Sequence, residues 1–307
     1  MSRLGAVAIA AGCGVIGACL YLSVLLGSPG ALILMYLAQL PLFVAGLWFG
    51  TGAAAIAGLS AFVVMFAATD LIAALLFAAL NVGPVVLLVR QALLARRGPD
   101  GQLAWYPPGL LVAWLTGLAL AGLVAALVGL GGPAELQAML SAVVAHSLDR
   151  LAEYSLPDRD QVAAVLATII PGVVAASWMT MAIVNGLLAQ GLLARFGANW
   201  RPSPDLAGLS LPVWLTGLFG IAVAATLLGG IARYFGINAM IALFVPFCLA
   251  GLAVLHAAAR RLSYPAMALT IFYVVAGLFG WPLLVAALLG LFENWLGLRR
   301  RLMPPGG

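Results

Sequence analysis

Leu71-Ile72-Ala73-Ala74-Leu75-Leu76-Phe77-Ala78-Ala79-Leu80-Asn81-Val82-Gly83-Pro84-Val85-Val86-Leu87-Leu88-Val89 carries one amide and no charge. A helix needs about 20 apolar residues to cross the hydrocarbon core of a bilayer. Runs of this kind recur along the chain, at 4–27, 30–50, 51–69, 71–94, 109–131, 163–194, 211–230, 237–258, 265–280 and 282–297. Inside lipid every backbone polar group must be satisfied by the protein itself, which leaves helices and closed barrels. Barrel strands would alternate apolar and polar residues. These runs are continuously apolar, so they read as helices. Hydrophobic residues make up 65% of the chain and charged residues 7%, more apolar matter than a water-soluble globule of this size can cover. The sequence thus predicts an all-α, polytopic integral membrane bundle, a single membrane domain over residues 1–307. Ten crossings are expected, or eight if the short segments merge or are re-entrant.

The charges orient the bundle. All 14 basic residues are arginine. With Arg3 in the cytoplasm, Arg90, Arg96, Arg97, Arg195, Arg201, Arg260, Arg261 and Arg299 to Arg301 fall on the same side, leaving Arg150, Arg159 and Arg233 outside. Glu135, Asp149, Glu153, Asp158 and Asp160 gather in one external loop. This obeys the positive-inside rule and places both termini in the cytoplasm. One helix over 265–297 would extend about 50 Å at 1.5 Å per residue, and would strand Arg299 to Arg301 outside. Gly280-Trp281-Pro282 supplies a break, because proline removes a donor and clashes with the preceding turn. A short hairpin is therefore expected. The net charge of +5 flanks apolar runs instead of forming one stripe, which speaks for membrane orientation and against a nucleic-acid partner. Abundant arginine and alanine without lysine suit a GC-rich bacterial genome, hence the bacterial inner (plasma) membrane.

Two connections are long. Arg96-Arg97-Gly98-Pro99-Asp100-Gly101 reads as a flexible inside turn, with Trp105 and Tyr106 at the interface. In the external segment, Leu136, Leu140, Val143, Leu151 and Tyr154 share a helical face while Glu135, Asp149 and Glu153 lie elsewhere. This predicts an amphipathic surface helix near 134–155, started by Gly131-Gly132-Pro133 and ended by Pro157. Ala113-Trp114-Leu115-Thr116-Gly117 is echoed by Val213-Trp214-Leu215-Thr216-Gly217, a spacing compatible with an ancient repeat and equally with chance in a leucine-rich chain.

Catalytic chemistry finds no foothold. Without lysine there is no P-loop grip on a phosphate, so any ATP-driven work falls to another subunit. His146 with Asp149, Arg150 and Glu153 allows either a carboxylate–histidine metal site or ordinary paired surface charges, and the ligand count favours the charges. Ser23, Ser141 and Ser177 lack a histidine at usable spacing, and no nucleophile elbow occurs. No enzyme activity, cofactor or metal is expected. Cys13, Cys19 and Cys248 read as small packing residues. Ile16-Gly17-Ala18-Cys19 is similar to a lipoprotein cleavage box, but the chain stays apolar beyond it, as an uncleaved first transmembrane helix requires.

Polar groups at membrane depth are costly and mark pathways or helix contacts. Gln39, Asn81, Asn185, Gln190 and Asn238 are of this kind. Gln39, Asp70, Asn81 and Asn185 are the candidate ligand-binding residues. Asp70 and Asn81 are the pair expected to face a cavity, since Gly83-Pro84 frees backbone carbonyls nearby. The alternative is that the amides join helices and the end charges reach water. Ala6, Ala10, Gly14 and Ala18 recur every four residues on the first helix. Such a groove admits another helix closely, either within this bundle or from a separate subunit.

Leu40-Pro41-Leu42-Phe43 with Gly46, Gly50 and Gly52 resembles the YybS-like predicted bacterial membrane proteins (domain of unknown function 2232). So do Asn185 with Arg201-Pro202-Ser203-Pro204, Leu211-Pro212-Val213-Trp214, and Gly290-Leu291-Phe292-Glu293-Asn294-Trp295 ahead of the arginines. The likeness covers almost the whole chain. That family is in turn distantly similar to the substrate-binding S components of energy-coupling factor transporters. The resemblance implies a compact bundle that captures a vitamin or metal from outside. It implies docking on a membrane T component driven by ABC ATPases, through small-residue packing that Ala6, Ala10, Gly14 and Ala18 match. S components have fewer helices than the apolar runs counted here, and no vitamin-binding motif is recognisable, so no substrate is implied.

Two functions follow as expectations. One is transport-related substrate capture with a separate energising subunit, the surface helix serving as a lid. The other is a non-transporting scaffold for cell-envelope machinery. A cavity of a few hundred Å³ near Asp70 and Asn81 would favour capture, and a dry packed core the scaffold. The scarcity of buried carboxylates argues against a lone proton- or sodium-coupled transporter.

Overall fold

The computed structural model describes residues 2–98, 101–150 and 159–299. Among them, helices dominate and one short hairpin of strands is present. The chain divides into two compact units, residues 1–115 with 180–204, and residues 116–179 with 205–307.

In the first unit, α1 (Arg3–Leu22) continues through a tight turn, Ser23–Leu26, and is followed by α2 (Pro29–Tyr36), α3 (Gln39–Phe49) and α4 (Thr51–Ala68). Then come α5 (Leu71–Phe77), a wide π turn over Ala78–Val82, and α6 (Gly83–Ala92). The starts are conventionally capped. Side-chain oxygens of Ser2, Ser28 and Asp70 accept the N–H groups of Gly5, Ala31 and Ala73, which satisfies donors that a helix start leaves open. β1 (Ala95–Arg97) pairs antiparallel with β2 (Leu103–Trp105), Arg96 opposite Ala104. The described residues on either side of Pro99 and Asp100, which themselves lie outside the described residues, therefore pair as a hairpin, with Gly98 N–H on the Gln102 carbonyl at 2.8 Å.

The small-residue face of α1 is occupied by α4 of the same chain. Ala10 and Ala18 are fully buried and Gly14 is buried with them, while Ala6 is half-buried. A Cβ on Gly14 would collide with the Ala57 carbonyl and the Ser60 hydroxyl. Ser60 Oγ also donates to the Ala11 carbonyl at 2.8 Å. Ala10, Gly14 and Ala18 thus serve intramolecular packing, which corrects their expected availability to a separate subunit.

In the second unit, α11 (Gly230–Ala259) packs against α10 (Trp214–Thr226) and α13 (Trp281–Leu296). The α11–α13 contact is backbone to backbone: a Cβ on Gly251 would meet the Ala286 carbonyl, and one on Gly290 the Phe247 carbonyl. Phe219 meets Phe247 edge-on at 5.4 Å between ring centres. α12 (Pro265–Phe279) is bent by 117° from α13 at Gly280, where φ is +70°. The break expected at Gly280-Trp281-Pro282 is therefore present. α8 (Pro133–Arg150) starts after Gly131 and Gly132, whose φ angles are +85° and +110°. Leu136 is buried and Leu140 half-buried, but Val143 on the expected apolar face is 58% exposed. Residues 151–155 of that surface helix, Pro157, and the side chains of Asp149, Arg150 and Glu153 lie outside the described residues.

Two long helices remain, α7 (Pro108–Gly129) and α9 (Arg159–Arg195). By length and composition, seven helical stretches among the described residues can cross a membrane, or eight if the bent α12–α13 pair is one span. The count agrees with the alternative of eight, in which short segments merge or are re-entrant, and not with ten. At 1.5 Å per residue the 13 residues of α10 reach only about 20 Å, short of a hydrocarbon core about 30 Å thick. Exposed Leu32, Ile33, Phe66, Ile72, Leu228 and Leu278 are side chains that lipid, not water, solvates. The protein is a multi-pass membrane helical bundle.

Candidate functional site

Prolines interrupt the helical ladders, and buried amides repair them. Pro41 has no N–H for the Leu37 carbonyl, and its ring would clash there. The chain accordingly breaks between α2 and α3: Leu37 N–H turns to Leu34, Ala38 to Met35 and Leu40 to Leu37, each within 3.1 Å. Leu40 N–H no longer serves the Tyr36 carbonyl, which accepts Asn185 Nδ2 at 2.6 Å instead. Pro84 likewise offers no N–H to the Leu80 carbonyl. The helix widens into the π turn ahead of it, a local geometry frequent at functional sites. Gln39 Nε2 donates to the Leu80 carbonyl at 3.4 Å and to Asn81 Oδ1 at 3.2 Å.

Gln39, Asn81 and Asn185 are 0%, 3% and 1% exposed, and all three belong to the first unit. Asn185 Nδ2 donates a second bond, to the Met181 carbonyl, at 2.7 Å. The donors of Gln39 and Asn185 are thus fully engaged. Their acceptors are not: Gln39 Oε1 and Asn185 Oδ1 are buried without a hydrogen-bond partner. Leaving such an atom unpaired costs about 1–3 kcal/mol. The two amides converge on one break, because Asn185 holds Tyr36 and Gln39 begins the next helix.

Asp70 does not join them. It is exposed and caps α5, accepting Ala73 N–H at 2.9 Å. Eleven residues of helix separate it from Asn81, about 16 Å at 1.5 Å per residue, so the expected Asp70–Asn81 pair is corrected to Gln39–Asn81 with Asn185.

The second unit holds a contrasting arrangement. Pro171 inside α9 removes the donor for the Ala167 carbonyl, which accepts Tyr234 Oη at 3.4 Å. Asn238 inserts one turn on: its Oδ1 accepts Gly172 N–H at 2.6 Å, and its Nδ2 donates to the carbonyls of Thr168 and Tyr234 at 3.0 and 2.8 Å. Here donor and acceptor sides are both used, as in a structural joint. A groove of about 540 Å³ opens nearby, lined by residues including Pro133, Gln137, Thr168, Arg233 and Tyr234. It lies in the second unit, not beside Asp70 and Asn81.

Other side-chain pairings were not announced by the sequence. Arg299 bonds Glu293 at 2.8 Å and the Ala207 carbonyl at 2.8 Å, both charged side chains being buried or nearly so. Asn294 Nδ2 donates to Thr216 Oγ1 at 2.8 Å. Gln190 Nε2 and Asn199 Nδ2 converge on the Arg201 carbonyl, while the Arg201 guanidinium reaches the Ala92 carbonyl at 3.2 Å. Arg260, at 2.7 Å, holds the exposed Asp205 carboxyl below the ordinary carboxylate range. The Trp-Leu-Thr-Gly echo keeps its burial pattern: Trp114 and Trp214 are exposed, and Leu115, Leu215, Thr116 and Thr216 buried. Among the described residues, no cluster of histidine, cysteine and carboxylates suits a metal ion.

Residues 15–293 match the family described as predicted membrane protein, DUF2232. The chain belongs to that family. No curated protein and no solved structure matches it. The DUF2232 match contains Gln39, Asn81 and Asn185 together with both proline breaks, so the whole cluster falls within the family region. The further likeness to S components rests on the sequence resemblance alone.

Proposed function

We propose that the protein is a transport-related capture protein of the bacterial inner membrane, working with a separate energising subunit. The observation that carries this reading is the pair of buried, unpartnered oxygens at a double helix break. Gln39 lies 10 residues into the Pro29–Phe49 span and Asn81 10 residues into the Leu71–Ala92 span, so both sit near mid-depth. Discontinuous helices meeting at mid-depth are how membrane transporters build binding sites, since broken backbone is tolerated there only where it faces protein or a cavity. The chain has no lysine for a P-loop, so ATP-driven movement would need ABC ATPases bound through a T component. Such a partner would have to dock elsewhere than on Ala10, Gly14 and Ala18. The positive-inside pattern supports cytoplasmic termini.

The second reading, a scaffold for envelope machinery, draws on the fully satisfied Asn238 joint and the close α1–α4 packing, which need no ligand, and on the groove's lying away from Asp70 and Asn81. Mild-detergent purification with native mass spectrometry separates the two. The capture reading expects a bound small mass that Asn185→Leu loses, together with co-purifying ABC ATPases. A bare polypeptide that recovers only envelope-synthesis or division proteins would overturn it in favour of the scaffold.

A further inference from the structure

We infer that the groove of the second unit holds one anionic phospholipid, its headgroup on Arg233 and an acyl chain along Ile231 and Ile237. This goes beyond the capture reading, whose site lies in the other unit. Gly230, Arg233, Tyr234 and Ile237 recur at three- and four-residue spacing, so they form one face of α11, and that face is one wall of the groove. Pro133 and Gln137 of α8 and Thr168 of α9 line the other walls. The volume, about 540 Å³, falls in the range of ligand sites, about 300–1,000 Å³.

Charge and depth select the ligand. The neutral polar side chains of the groove are bonded to protein: Gln137 Nε2 donates to Thr168 Oγ1 at 3.0 Å, Thr168 Oγ1 to the Ala164 carbonyl at 2.9 Å, and Tyr234 Oη to the Ala167 carbonyl at 3.4 Å. Arg233, the one charged lining residue among those described, has neither a hydrogen bond nor an ion pair among the described residues. Glu135 and Asp160, on the neighbouring helices α8 and α9, are out of ion-pair reach of it. Arg260 and Arg299 of the same unit, by contrast, hold Asp205 and Glu293 at 2.7 and 2.8 Å. The groove therefore offers positive charge and meets no negative charge of its own. With α11 centred on the bilayer midplane, Arg233 stands about 17 Å from it and Ile237 about 11 Å, on either side of a hydrocarbon boundary at about 15 Å. The cation thus lies at headgroup level, and Ile237 with the 65% exposed Ile231 gives the apolar surface that an acyl chain covers. Basic pockets between transmembrane helices take anionic headgroups in this way. A soluble anion would leave the apolar wall bare.

The test reconstitutes the full chain in nanodiscs of phosphatidylcholine with a minority of phosphatidylglycerol, extracts it in mild detergent and weighs it by native mass spectrometry. Wild type should retain one phosphatidylglycerol in preference to phosphatidylcholine, beyond its share of the bilayer. Arg233→Gln should lower that preference about fivefold. Arg260→Gln, at the opposite end of α11 and paired with Asp205, should leave it unchanged. So should Asn185→Leu, which makes failure here distinguishable from failure of the capture reading. Because a variant could fail to fold, wild type is also labelled with a phosphatidylglycerol carrying a photoactivated diazirine on its acyl chain. Label is expected on peptides that contain Ile237 or Thr168. Retained lipid without headgroup preference, or with the same preference in Arg233→Gln, would mean annular lipid only and overturn the assignment. Displacement of the adduct by inorganic phosphate would make the ligand a soluble anion, and overturn it equally.

Discussion

Gly290→Val is expected to unseat α13 from α11 and lower stability by about 3 kcal/mol or more, at the upper end of overpacking costs. Its Cβ would fall on the Phe247 carbonyl and 2.6 Å from the Gly251 nitrogen. Neither is the end of a flexible side chain that can move aside, and helical backbone yields only by separating the helices. Gly251→Val approaches the same contact from the other side, against Ala286, and should have a comparable effect. Gly277→Val is the control, since nothing lies within 4 Å of its Cβ. In detergent the Gly290 variant should melt about 5 °C or more below wild type and lose its monodisperse peak, while the Gly277 variant stays near wild type. Equal behaviour of the two would show that α13 does not seat where the structure puts it.

Asn238→Leu should be nearly as damaging, for an electrostatic reason. It withdraws an acceptor from Gly172 N–H and a donor from the Thr168 and Tyr234 carbonyls. Each buried backbone group left unpaired costs about 1–3 kcal/mol, so a loss of about 3 kcal/mol is expected. Pro171→Ala restores an N–H for Ala167 and allows α9 to close its own ladder. The double variant should therefore recover roughly half the loss, a coupling of about 1–2 kcal/mol in the double-mutant cycle. Strict additivity would mean that Asn238 does not compensate the proline. A matching loss in Asn185→Leu is not expected, because there the replaced amide also carries away an oxygen that the protein leaves unpaired.

The spans were legible because lipid imposes one rule on every segment, and a long, continuously apolar run fits few structures besides a spanning helix. Their number was less legible. Residues 211–230 are apolar enough, but Pro212 and the loop before Trp214 shorten the helix, and apolar composition alone does not report length. Gln39, Asn81 and Asn185 stood out as amides at membrane depth, yet their grouping depends on pairings 42 residues apart for Gln39 with Asn81 and 149 apart for Asn185 with Tyr36, which no local pattern encodes. The signal that could have found them is the prolines. Pro84 removes the donor of the Leu80 carbonyl, which Gln39 supplies instead, and Pro41 breaks α2 from α3 so that Leu40 N–H turns to Leu37 and the Tyr36 carbonyl is left for Asn185. Asp70 misled for the opposite reason: an acid beside an apolar run resembles a site, but at a helix start its first use is the cap. The stripe of Ala10, Gly14 and Ala18 was correctly read as a close-contact face, while its partner, α4, became visible only in three dimensions.

The capture reading rests on the two unpartnered oxygens of the Gln39–Asn81–Asn185 cluster. A high-resolution cryo-electron microscopy map of the protein in a lipid nanodisc would decide the matter. A discrete peak that neither protein nor lipid accounts for is expected in contact with Gln39 Oε1 or Asn185 Oδ1. An empty space there, or either oxygen turned onto a protein donor, would refute a binding role for the cluster.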